Sequence, residues 1–240
     1  NRRKKLTLNI DFNRDVEKKD YALETVSTPY EKFDSIDDDT PLGTGSFGSV
    51  FLVKKNDSEY ALKEIKLFND GRETQIENMK REFDIMKKLG DQCKEGFVCY
   101  YDIFISKIGI NHMGECIYLV MDYAKGHDLF DYINNQKSQM KIEDMEILTV
   151  HLIKIVAILH SYNIIHRDIK PHNIMFDTRS LRLIDYGGVC VMDKCDKLYG
   201  TKNYMPPEFF NFTAIENMDW KKVDGWALGV TLYIIFKQLR

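Results

Sequence analysis

The sequence contains no long apolar run and no marked excess of one charge. Its two longest apolar stretches, residues 147–159 and 226–236, are interrupted by His151 and Lys154 or are too short to span a bilayer. Its 34 basic and 37 acidic residues give a formal charge of -3, whereas nucleic-acid-binding domains usually carry a basic excess on one face. We therefore expect a soluble globular protein with no transmembrane helix, no membrane partner and no nucleic-acid partner.

Paired cysteine motifs and a secretory signal are also absent. The cysteines form an odd set without a C-x-x-C pair or zinc-ligand spacing, namely Cys93, Cys99, Cys116, Cys190 and Cys195. We expect them to be reduced thiols that mainly serve as packing residues. The basic residues 1–5 precede a segment too short and too polar for the apolar region of a secretory signal. The sequence therefore predicts an intracellular protein, cytoplasmic or nuclear.

Residues 1–35 are highly charged and show no sustained helical or strand periodicity. A segment of this composition buries too little apolar surface to order itself. We expect a charged N-terminal extension that becomes ordered by docking onto a partner.

Hydrophobic periodicity predicts that the next part of the chain is rich in strands. Apolar residues alternate at residues 50–52 and 60–62, after a turn that contains glycines. Residues 73–89 place apolar side chains three and four positions apart, which is typical of an amphipathic helix. Two further β-rich runs cover residues 97–105 and 116–123.

The remaining sequence predicts helices. Apolar residues between positions 142 and 159 cover most of the surface of one long helix, as expected inside a helical lobe. A last apolar helix is predicted at residues 223–236. The sequence therefore predicts an α+β protein with a small β-rich lobe (36–121), a hinge (122–125) and a mostly helical lobe (126–240).

A Gly-rich turn, Gly43-Thr44-Gly45-Ser46-Phe47-Gly48-Ser49-Val50, lies between two predicted strands. Absent side chains let backbone N–H groups approach phosphates closely. A G-x-G-x-x-G also occurs in dinucleotide folds, where it opens a helix within a βαβ unit. Here the chain continues as a strand, which argues against a dinucleotide-binding fold.

Two charged residues follow this turn at positions suited to phosphate binding. Lys63 lies near the end of a predicted strand, and Glu82 lies on the inward side of the predicted amphipathic helix. A lysine that contacts phosphates needs a partner that fixes its flexible stem. Taken alone, each residue is more simply a solvated surface charge.

The most specific element is His166-Arg167-Asp168-Ile169-Lys170-Pro171-His172-Asn173. It matches the H-R-D-x-x-x-x-N loop that supplies a hydroxyl-orienting Asp and a metal-binding Asn. Asp185-Tyr186-Gly187 follows after an apolar strand pair. Phosphoryl transfer requires in-line positioning and neutralisation of negative charge, and carboxylate and amide oxygens suit magnesium.

In order and spacing, these motifs resemble those of eukaryotic protein kinases of the serine/threonine branch. The resemblance covers about residues 36–240 and includes Pro207-Glu208 and Asp224-x-Trp226-x-x-Gly229. Lys170 and Thr201 are typical of that branch. The resemblance implies a two-lobed protein kinase fold that transfers the γ-phosphoryl group of ATP, with Mg²⁺, to Ser or Thr hydroxyls of a protein substrate.

The resemblance also implies a role for each matching residue. Asp168 would orient the acceptor hydroxyl beside Lys170, and Lys63, paired with Glu82, would contact the α- and β-phosphates. Asn173 and Asp185 would hold magnesium. The nucleotide would be bound by Gly43, Gly45, Ser46, Phe47, Gly48, Val50, Ala61, Lys63, the gatekeeper Met121, the hinge residues Asp122 and Ala124, the ribose contact Asp128 and the floor residue Met175.

The sequence departs from the family pattern at several positions. Tyr186 replaces the usual Phe of the metal-binding triplet, and Pro206 replaces the Ala of the A-P-E element. Neither removes a reacting group. The chain has no initiator Met and ends at Arg240, where family members continue with further helices. We therefore expect a segment of a longer protein with an incomplete helical lobe.

Two other functions are compatible with the same fold. A pseudokinase, meaning a binding or scaffolding module, typically lacks Lys63, Asp168 or Asp185, and all three are present. A small-molecule kinase is disfavoured because Gly200-Thr201 and Pro207-Glu208 belong to protein-substrate recognition in the family. Since fold alone does not establish function, a catalytically weak pseudokinase or scaffold stays as the alternative.

The segment after the metal-binding triplet contains no Ser or Thr from residue 186 to residue 200. In many kinases a phosphorylated residue of this segment is held by the Arg next to the catalytic Asp, here Arg167. Asp193 and Asp196 are candidates for a permanent acidic partner, with solvated loop charges as the alternative. The sequence predicts activity without Ser/Thr phosphorylation in this segment.

Substrate choice depends in part on the residue before Asn173. Family members that select basic substrates often carry an acid there, whereas this chain has His172. We expect weak selection for arginine upstream of the acceptor, although Asp128 and Asp131 offer negative charge nearby.

Overall fold

The computed structural model describes residues 21–45, 48–135, 141–177, 180–210 and 218–237. Within these ranges, four α-helices lie at α1 (Arg72–Lys87), α2 (Leu129–Asn135), α3 (Ile142–Ser161) and α4 (Trp220–Phe236). The strands are β1 (Glu24–Val26), β2 (Ser35–Asp37), β3 (Gly43–Gly45), β4 (Gly48–Lys55), β5 (Ser58–Lys66), β6 (Tyr100–Ser106), β7 (Cys116–Asp122), β8 (His127–Asp128), β9 (Ile164–Ile165), β10 (Ile174–Phe176), β11 (Leu181–Leu183) and β12 (Cys190–Val191).

The small lobe is built on one sheet in the order β1-β6-β7-β5-β4-β2, with β3 also paired to β4. The hairpin of β4 and β5 turns at Asn56 and Asp57, whose φ values of 49° and 61° are those of a two-residue turn that matches strand twist. Asn and Asp tolerate this left-handed backbone better than most residues. The turn fixes the register that places Lys63 opposite Val50.

Helix α1 packs its apolar side on this sheet, as its periodicity predicted. Met79, Ile85 and Met86 are buried in the main core, and Ile76 and Phe83 pack against it. Glu82 lies on the same buried side and is 5% exposed. The helix therefore carries a carboxylate into the interior, where it needs a hydrogen-bonding partner.

Part of the predicted N-terminal extension is folded onto the small lobe. Strand β1 pairs in parallel with β6, and the hydroxyl of Tyr21 donates to Asp84 of α1 at 3.0 Å. Lys32 bridges Glu24 and Asp102 at 2.6 and 2.8 Å. Short strands pair through main-chain groups, which need no apolar periodicity. The expectation that order requires a separate docking partner is therefore wrong for residues 21–35, and residues 1–20 lie outside the described residues.

The expectation of reduced cysteines is also wrong for four of the five. Disulfides join Cys93 to Cys99 and Cys190 to Cys195, while Cys116 is free and buried. Short 3₁₀ helices at Gly90–Glu95 and Met192–Lys194 turn the chain back within each loop. The Cα atoms of the two pairs lie 5.1 and 5.4 Å apart, within the usual range for a disulfide.

The large lobe is organised around α3 and α4, which pack on each other. Helix α3 buries six apolar side chains, Met145, Leu148, Leu152, Ile155, Val156 and Leu159. Helix α4 begins after Asp219, whose carboxylate accepts the N–H groups of Lys221 and Lys222 and so satisfies free donors of its first turn. Among the described helices, none combines the length and apolarity needed to cross a membrane.

Two small sheets connect the helices to the loops that carry the motifs. One has the order β11-β10-β8, and the other pairs β12 with β9. The His166–Asn173 loop lies between β9 and β10, and Asp185 follows β11. These short strands therefore place the two motifs side by side at one edge of the large lobe.

Candidate active site

A cavity of about 880 Å³ lies between the two lobes and gathers most of the predicted site residues. Asp168 and Glu82 are buried and are hydrogen-bonded to the lining residues Lys170 and Tyr100. Ser46 and Phe47 lie outside the described residues. The predicted residues that line the cavity are Gly43, Gly45, Gly48, Val50, Ala61, Lys63, Met121, Asp122, Ala124, Asp128, Lys170, Asn173, Met175 and Asp185.

The glycine turn forms the upper wall of the cavity. Gly43 pairs with Val50 and Gly45 with Gly48 across β3 and β4. Gly48 has a φ of 129°, and a Cβ atom there would lie 1.9 Å from the carbonyl oxygen of Glu64. Any other residue at position 48 would displace the hairpin that forms this wall.

The connection between the lobes is held by the side chain of Asp122. Its carboxylate accepts the N–H of Cys99 at 3.0 Å, the hydroxyl of Tyr101 at 2.5 Å and Arg182 at 3.2 Å. Its own N–H donates to the carbonyl of Cys99 at 3.0 Å. Asp122 therefore joins the hinge to the start of β6 and to β11.

Lys63 and Asp185 form an ion pair in the lining of the cavity. The Lys63 Nζ atom lies 3.3 Å from Asp185 Oδ1. Burial would lower the pKa of Lys63, but the negative charges of Glu82 and Asp185 outweigh it and raise that pKa above its ordinary value. Lys63 is therefore an ammonium ion at neutral pH, as phosphate binding requires.

The prediction that Lys63 pairs directly with Glu82 is wrong for this conformation. Among the described residues, Lys63 has its ion pair with Asp185, and none with Glu82 falls within 4 Å. Glu82 Oε1 instead accepts the hydroxyl of Tyr100 at 2.6 Å. The physical reason is competition, because a buried carboxylate bonds to whichever donor the packing brings within reach.

Asp168 lies at the centre of a hydrogen-bonded cluster. Lys170 Nζ donates to Asp168 Oδ2 at 2.8 Å and to Thr201 Oγ1 at 2.8 Å. The hydroxyl and N–H of Thr201 both donate to Asp168 Oδ1, at 2.7 and 2.9 Å. Asn173 Nδ2 donates to the carbonyl and to Oδ2 of Asp168, at 2.8 and 3.1 Å. The predicted contacts of Thr201 with Asp168 and Lys170 are confirmed.

This cluster keeps Asp168 ionised. Burial would raise the pKa of Asp168, but the hydrogen bonds from Lys170 and Thr201 outweigh it and hold that pKa below its ordinary value. An ionised carboxylate accepts hydrogen bonds at both oxygens. Asp168 already accepts two hydrogen bonds at each oxygen, so a hydroxyl that enters the cavity would take the place of one of these donors.

Asp224 of α4 supports the backbone of this loop from below. It is fully buried and accepts the N–H groups of His166 and Arg167 at 3.0 and 2.8 Å. It also contacts His160 Nε2 at 2.9 Å. Arg167 has a φ of 70°, an unfavourable value for a residue with a long side chain. The two hydrogen bonds that the backbone donates to this carboxylate stabilise that conformation.

Arg167 bonds to carbonyl groups of the segment that follows Asp185. Its Nη1 donates to the carbonyl of Lys197 at 2.7 Å, and its Nε donates to the carbonyl of Gly188. Among the described residues, neither Asp193 nor Asp196 forms an ion pair with it. Of the two predicted alternatives, the ion pair is therefore not formed: Arg167 bonds to loop carbonyls, and the charge of Asp196 acts on it without an ion pair.

Sequence reasoning missed one tyrosine hydroxyl and one carboxylate. Tyr100 bonds to Glu82. The hydroxyl of Tyr186 has the partners that a buried tyrosine needs, because it accepts the N–H of Val98 and donates to the carbonyl of Leu183. Glu64 is 1% exposed and accepts the hydroxyl of Tyr118. The signal in the sequence was the position of Glu64 in an apolar strand, because a buried glutamate needs a hydrogen-bonding partner.

Comparisons with known proteins agree with this geometry. The "Protein kinase domain" family model matches residues 36–239. "Myosin light chain kinase A" of Dictyostelium discoideum is 30% identical over 203 residues, 81% of this chain and 63% of that protein. "Calcium-dependent protein kinase 4" of Plasmodium falciparum is 31% identical over 81% of this chain and 36% of its own length. "Serine/threonine-protein kinase CG17528" of Drosophila melanogaster is 34% identical over 81% of this chain and 25% of its own length.

The fold, the ordered motifs and the family match together define a eukaryotic-type protein kinase domain, and the chain belongs to the protein kinase family. The match covers both lobes from β2 to α4. The chain spans between about a quarter and two thirds of the length of these relatives.

The chemistry of the site fits a magnesium nucleotide. Asn173 and Asp185 offer amide and carboxylate oxygens, the donors that magnesium prefers. Within the described ranges, no group of three or more His, Cys, Asp or Glu side chains is placed to hold a metal. Phosphate oxygens and water would therefore complete the coordination of any magnesium bound here.

Proposed function

We propose that this domain is an active, ATP-dependent serine/threonine protein kinase. The observation that carries the proposal is the ionised Asp168, which shares a cluster with Lys170 and Thr201. This cluster adjoins the same cavity as Lys63 and Asp185. The site thus combines a hydroxyl acceptor with the charges that phosphoryl transfer needs.

Asp168 accepts the hydrogen bond of a Ser or Thr hydroxyl and aligns its oxygen with the γ-phosphorus. The new oxygen–phosphorus bond forms as the bond to the β–γ bridging oxygen breaks, ADP leaves, and the hydroxyl proton passes to Asp168. Lys170 lies next to Asp168 and offers positive charge to the transferred group. No covalent intermediate on the protein is required.

Lys63 would bind the α- and β-phosphates as an ammonium ion, and Asn173 and Asp185 would hold magnesium. The metal, when bound, neutralises negative charge on the phosphates. Lys63 has three N–H donors and Asp185 two oxygens, so the Lys63–Asp185 contact of the present conformation competes with these roles without excluding them.

The class of acceptor follows from Lys170 and Thr201. The resemblance assigns both to kinases of Ser and Thr rather than Tyr, and the printed name of the Drosophila relative is that of a Ser/Thr kinase. The hydrogen bond between Lys170 and Thr201 brings the two residues into contact. We therefore propose protein Ser/Thr hydroxyls as substrates. From the sequence, we also propose an intracellular location and a docking partner for residues 1–20.

A pseudokinase is the second candidate, and one observation favours it. Lys63 is paired with Asp185 instead of Glu82, so part of the bonding capacity of both residues is taken before a nucleotide binds. Activity is favoured over it because Lys63, Asn173 and Asp185 line one cavity, and Asp168 is bonded to Lys170, which lines it too.

One experiment distinguishes an active kinase from a pseudokinase. The protein is incubated with labelled ATP, Mg²⁺ and a degenerate peptide library, beside the variants Asp168→Ala and Asp185→Ala. We expect transfer to Ser and Thr peptides that falls about 1000-fold or more in Asp168→Ala, because nucleophile orientation and charge stabilisation are lost. Asp185→Ala should weaken nucleotide binding chiefly when Mg²⁺ is present.

Equally poor transfer by the wild type and both variants would favour the pseudokinase. Transfer to Tyr peptides alone would contradict the assignment of the acceptor. The variant Asp219→Ala serves as a control for loss of a carboxylate, since Asp219 caps α4 and has no contact with the cavity residues among the described hydrogen bonds.

A further inference from the structure

Tyr100 lies at the junction of helix α1, the metal-binding turn and the cavity. It is 4% exposed, and its hydroxyl donates to Glu82 Oε1 at 2.6 Å. Its ring stacks on Phe83 with 6.3 Å between centroids and meets the edge of Tyr186 at 5.8 Å. Tyr100 therefore contacts both α1 and the residue that follows Asp185.

Glu82 has two donors near it in the interior. One is the Tyr100 hydroxyl, which it bonds, and the other is the Lys63 ammonium, which feels the charge of Glu82 but bonds to Asp185. A buried carboxylate is stabilised by either donor. Two arrangements thus compete: Glu82 is bonded to Tyr100 in one and to Lys63 in the other.

The two arrangements differ in what they leave for a nucleotide. In the present one, Lys63 neutralises Asp185, and both are engaged. In the other, Lys63 is held by Glu82, and Asp185 is free to bind a metal. A magnesium nucleotide binds the second arrangement better, so its apparent affinity falls with the fraction of molecules in the first.

We propose that Tyr100 is a positioning residue that holds Glu82 away from Lys63 and thereby restrains magnesium-nucleotide binding. The expected effect of Tyr100 on phosphoryl transfer rests on the proposed function. The expected effect of Tyr100 on nucleotide binding does not depend on that function. The hydroxyl is the decisive group, because it makes the hydrogen bond that holds Glu82 in the observed arrangement.

The test is the variant Tyr100→Phe, which removes the hydroxyl and keeps the ring between Phe83 and Tyr186. We expect the Kd for ATP with Mg²⁺ to fall at least about fivefold, since a hydrogen bond to a charged group that favoured the other arrangement is lost. ATP affinity without Mg²⁺ should change much less, because the gain comes from the release of Asp185. Titration calorimetry measures both values.

A matched control is Tyr118→Phe. Tyr118 is a fully buried tyrosine of β7 whose hydroxyl bonds to a second buried glutamate, Glu64. This variant removes the same kind of bond and should leave both ATP affinities unchanged. A crystal structure of Tyr100→Phe without nucleotide gives a second readout, in which Glu82 is expected within 4 Å of Lys63 Nζ.

Three results would overturn the inference: weaker or unchanged Mg²⁺-ATP binding in Tyr100→Phe, equal tightening with and without Mg²⁺, or the same change in Tyr118→Phe. The first would mean that Tyr100 holds Glu82 ready for Lys63. Absence of phosphoryl transfer in the wild type and in both tyrosine variants would reject the proposed kinase activity. Tighter Mg²⁺-ATP binding by Tyr100→Phe would still support the role of Tyr100 in that case.

Discussion

Thr201 donates two hydrogen bonds to one oxygen of Asp168, from its hydroxyl at 2.7 Å and from its N–H at 2.9 Å. Gly200 makes this approach possible, because a Cβ atom there would lie 2.5 Å from the carbonyl of Arg167. The chain after the Asp185–Gly187 turn is thereby fixed onto the loop that holds Asp168.

Thr201→Val should impair phosphoryl transfer at low pH more than at high pH. The Thr201 hydroxyl is one of the bonds that hold the pKa of Asp168 down against burial, so its loss raises that pKa. The acidic limb of the kcat/KM profile should therefore move to higher pH. Thr201→Ser keeps the hydroxyl and should retain the wild-type profile. An unchanged acidic limb in Thr201→Val would argue against the role of this bond.

His166 should make the stability of the protein sensitive to pH. It is fully buried, and burial lowers its pKa below the ordinary value, so the folded protein holds it neutral. The unfolded chain takes up a proton near pH 6.5. Stability from the neutral histidine is thus present above that pH and is lost as the pH falls toward the folded pKa. His166→Phe should flatten this dependence.

Urea unfolding at pH 7.5 and at pH 5.5 checks the prediction. The exposed residue His151 of α3 supplies the control, since His151→Gln should retain the wild-type loss of stability between the two pH values. The same pH dependence in His166→Phe would show that other groups cause it.

His172 and Phe130 should disfavour arginine upstream of the acceptor. Their rings stack at 4.1 Å with an interplanar angle of 19°, and both line the cavity beside Lys170. An imidazole here offers arginine no fixed negative charge. His172→Glu should raise kcat/KM for peptides with upstream arginine about tenfold, because a carboxylate attracts the guanidinium. Peptide library selection measures the change, and strong arginine selection by the wild type would contradict it.

The segment from residue 186 to residue 200 should support activity without phosphorylation. It has no Ser or Thr, Arg167 is engaged with its backbone, and a disulfide joins Cys190 to Cys195. Phosphatase treatment should leave the rate unchanged. Because Arg167 bonds to carbonyl groups, Asp193→Asn with Asp196→Asn should also have little effect.

The paired variant Cys190→Ser and Cys195→Ser should reduce stability by about 2 kcal/mol, the entropic effect of opening a short loop. Thermal unfolding measures the loss. Equal stability of the variant and the wild type would contradict the predicted effect of the disulfide. Loss of activity on phosphatase treatment, with a phosphate mapped to Tyr199 or Thr201, would contradict the prediction of activity without phosphorylation.

Local patterns in the sequence predicted most of the fold and most of the residues that line or adjoin the cavity. Helix α1 and the cluster of Asp168 and Lys170 follow from spacing and motif, because neighbours along the chain determine them. The hydrogen bond of Tyr100 to Glu82 joins residues from different elements whose separation depends on how α1 packs. No spacing rule predicts which of two donors a buried carboxylate will choose. The disulfides were missed for a related reason, since short turns brought the cysteines together.

The strands β1 and β2 lie at the two ends of the small-lobe sheet, and both come from residues 24–37. One short segment thus covers the open main-chain groups of β6 on one side and pairs with β4 on the other. The family match begins at residue 36, after β1 has ended. A protein shortened to that match would leave the N–H and C=O groups of β6 unpaired, and such an edge recruits strands from other molecules. Self-association, rather than loss of the catalytic cluster, is the defect expected of a domain cut there.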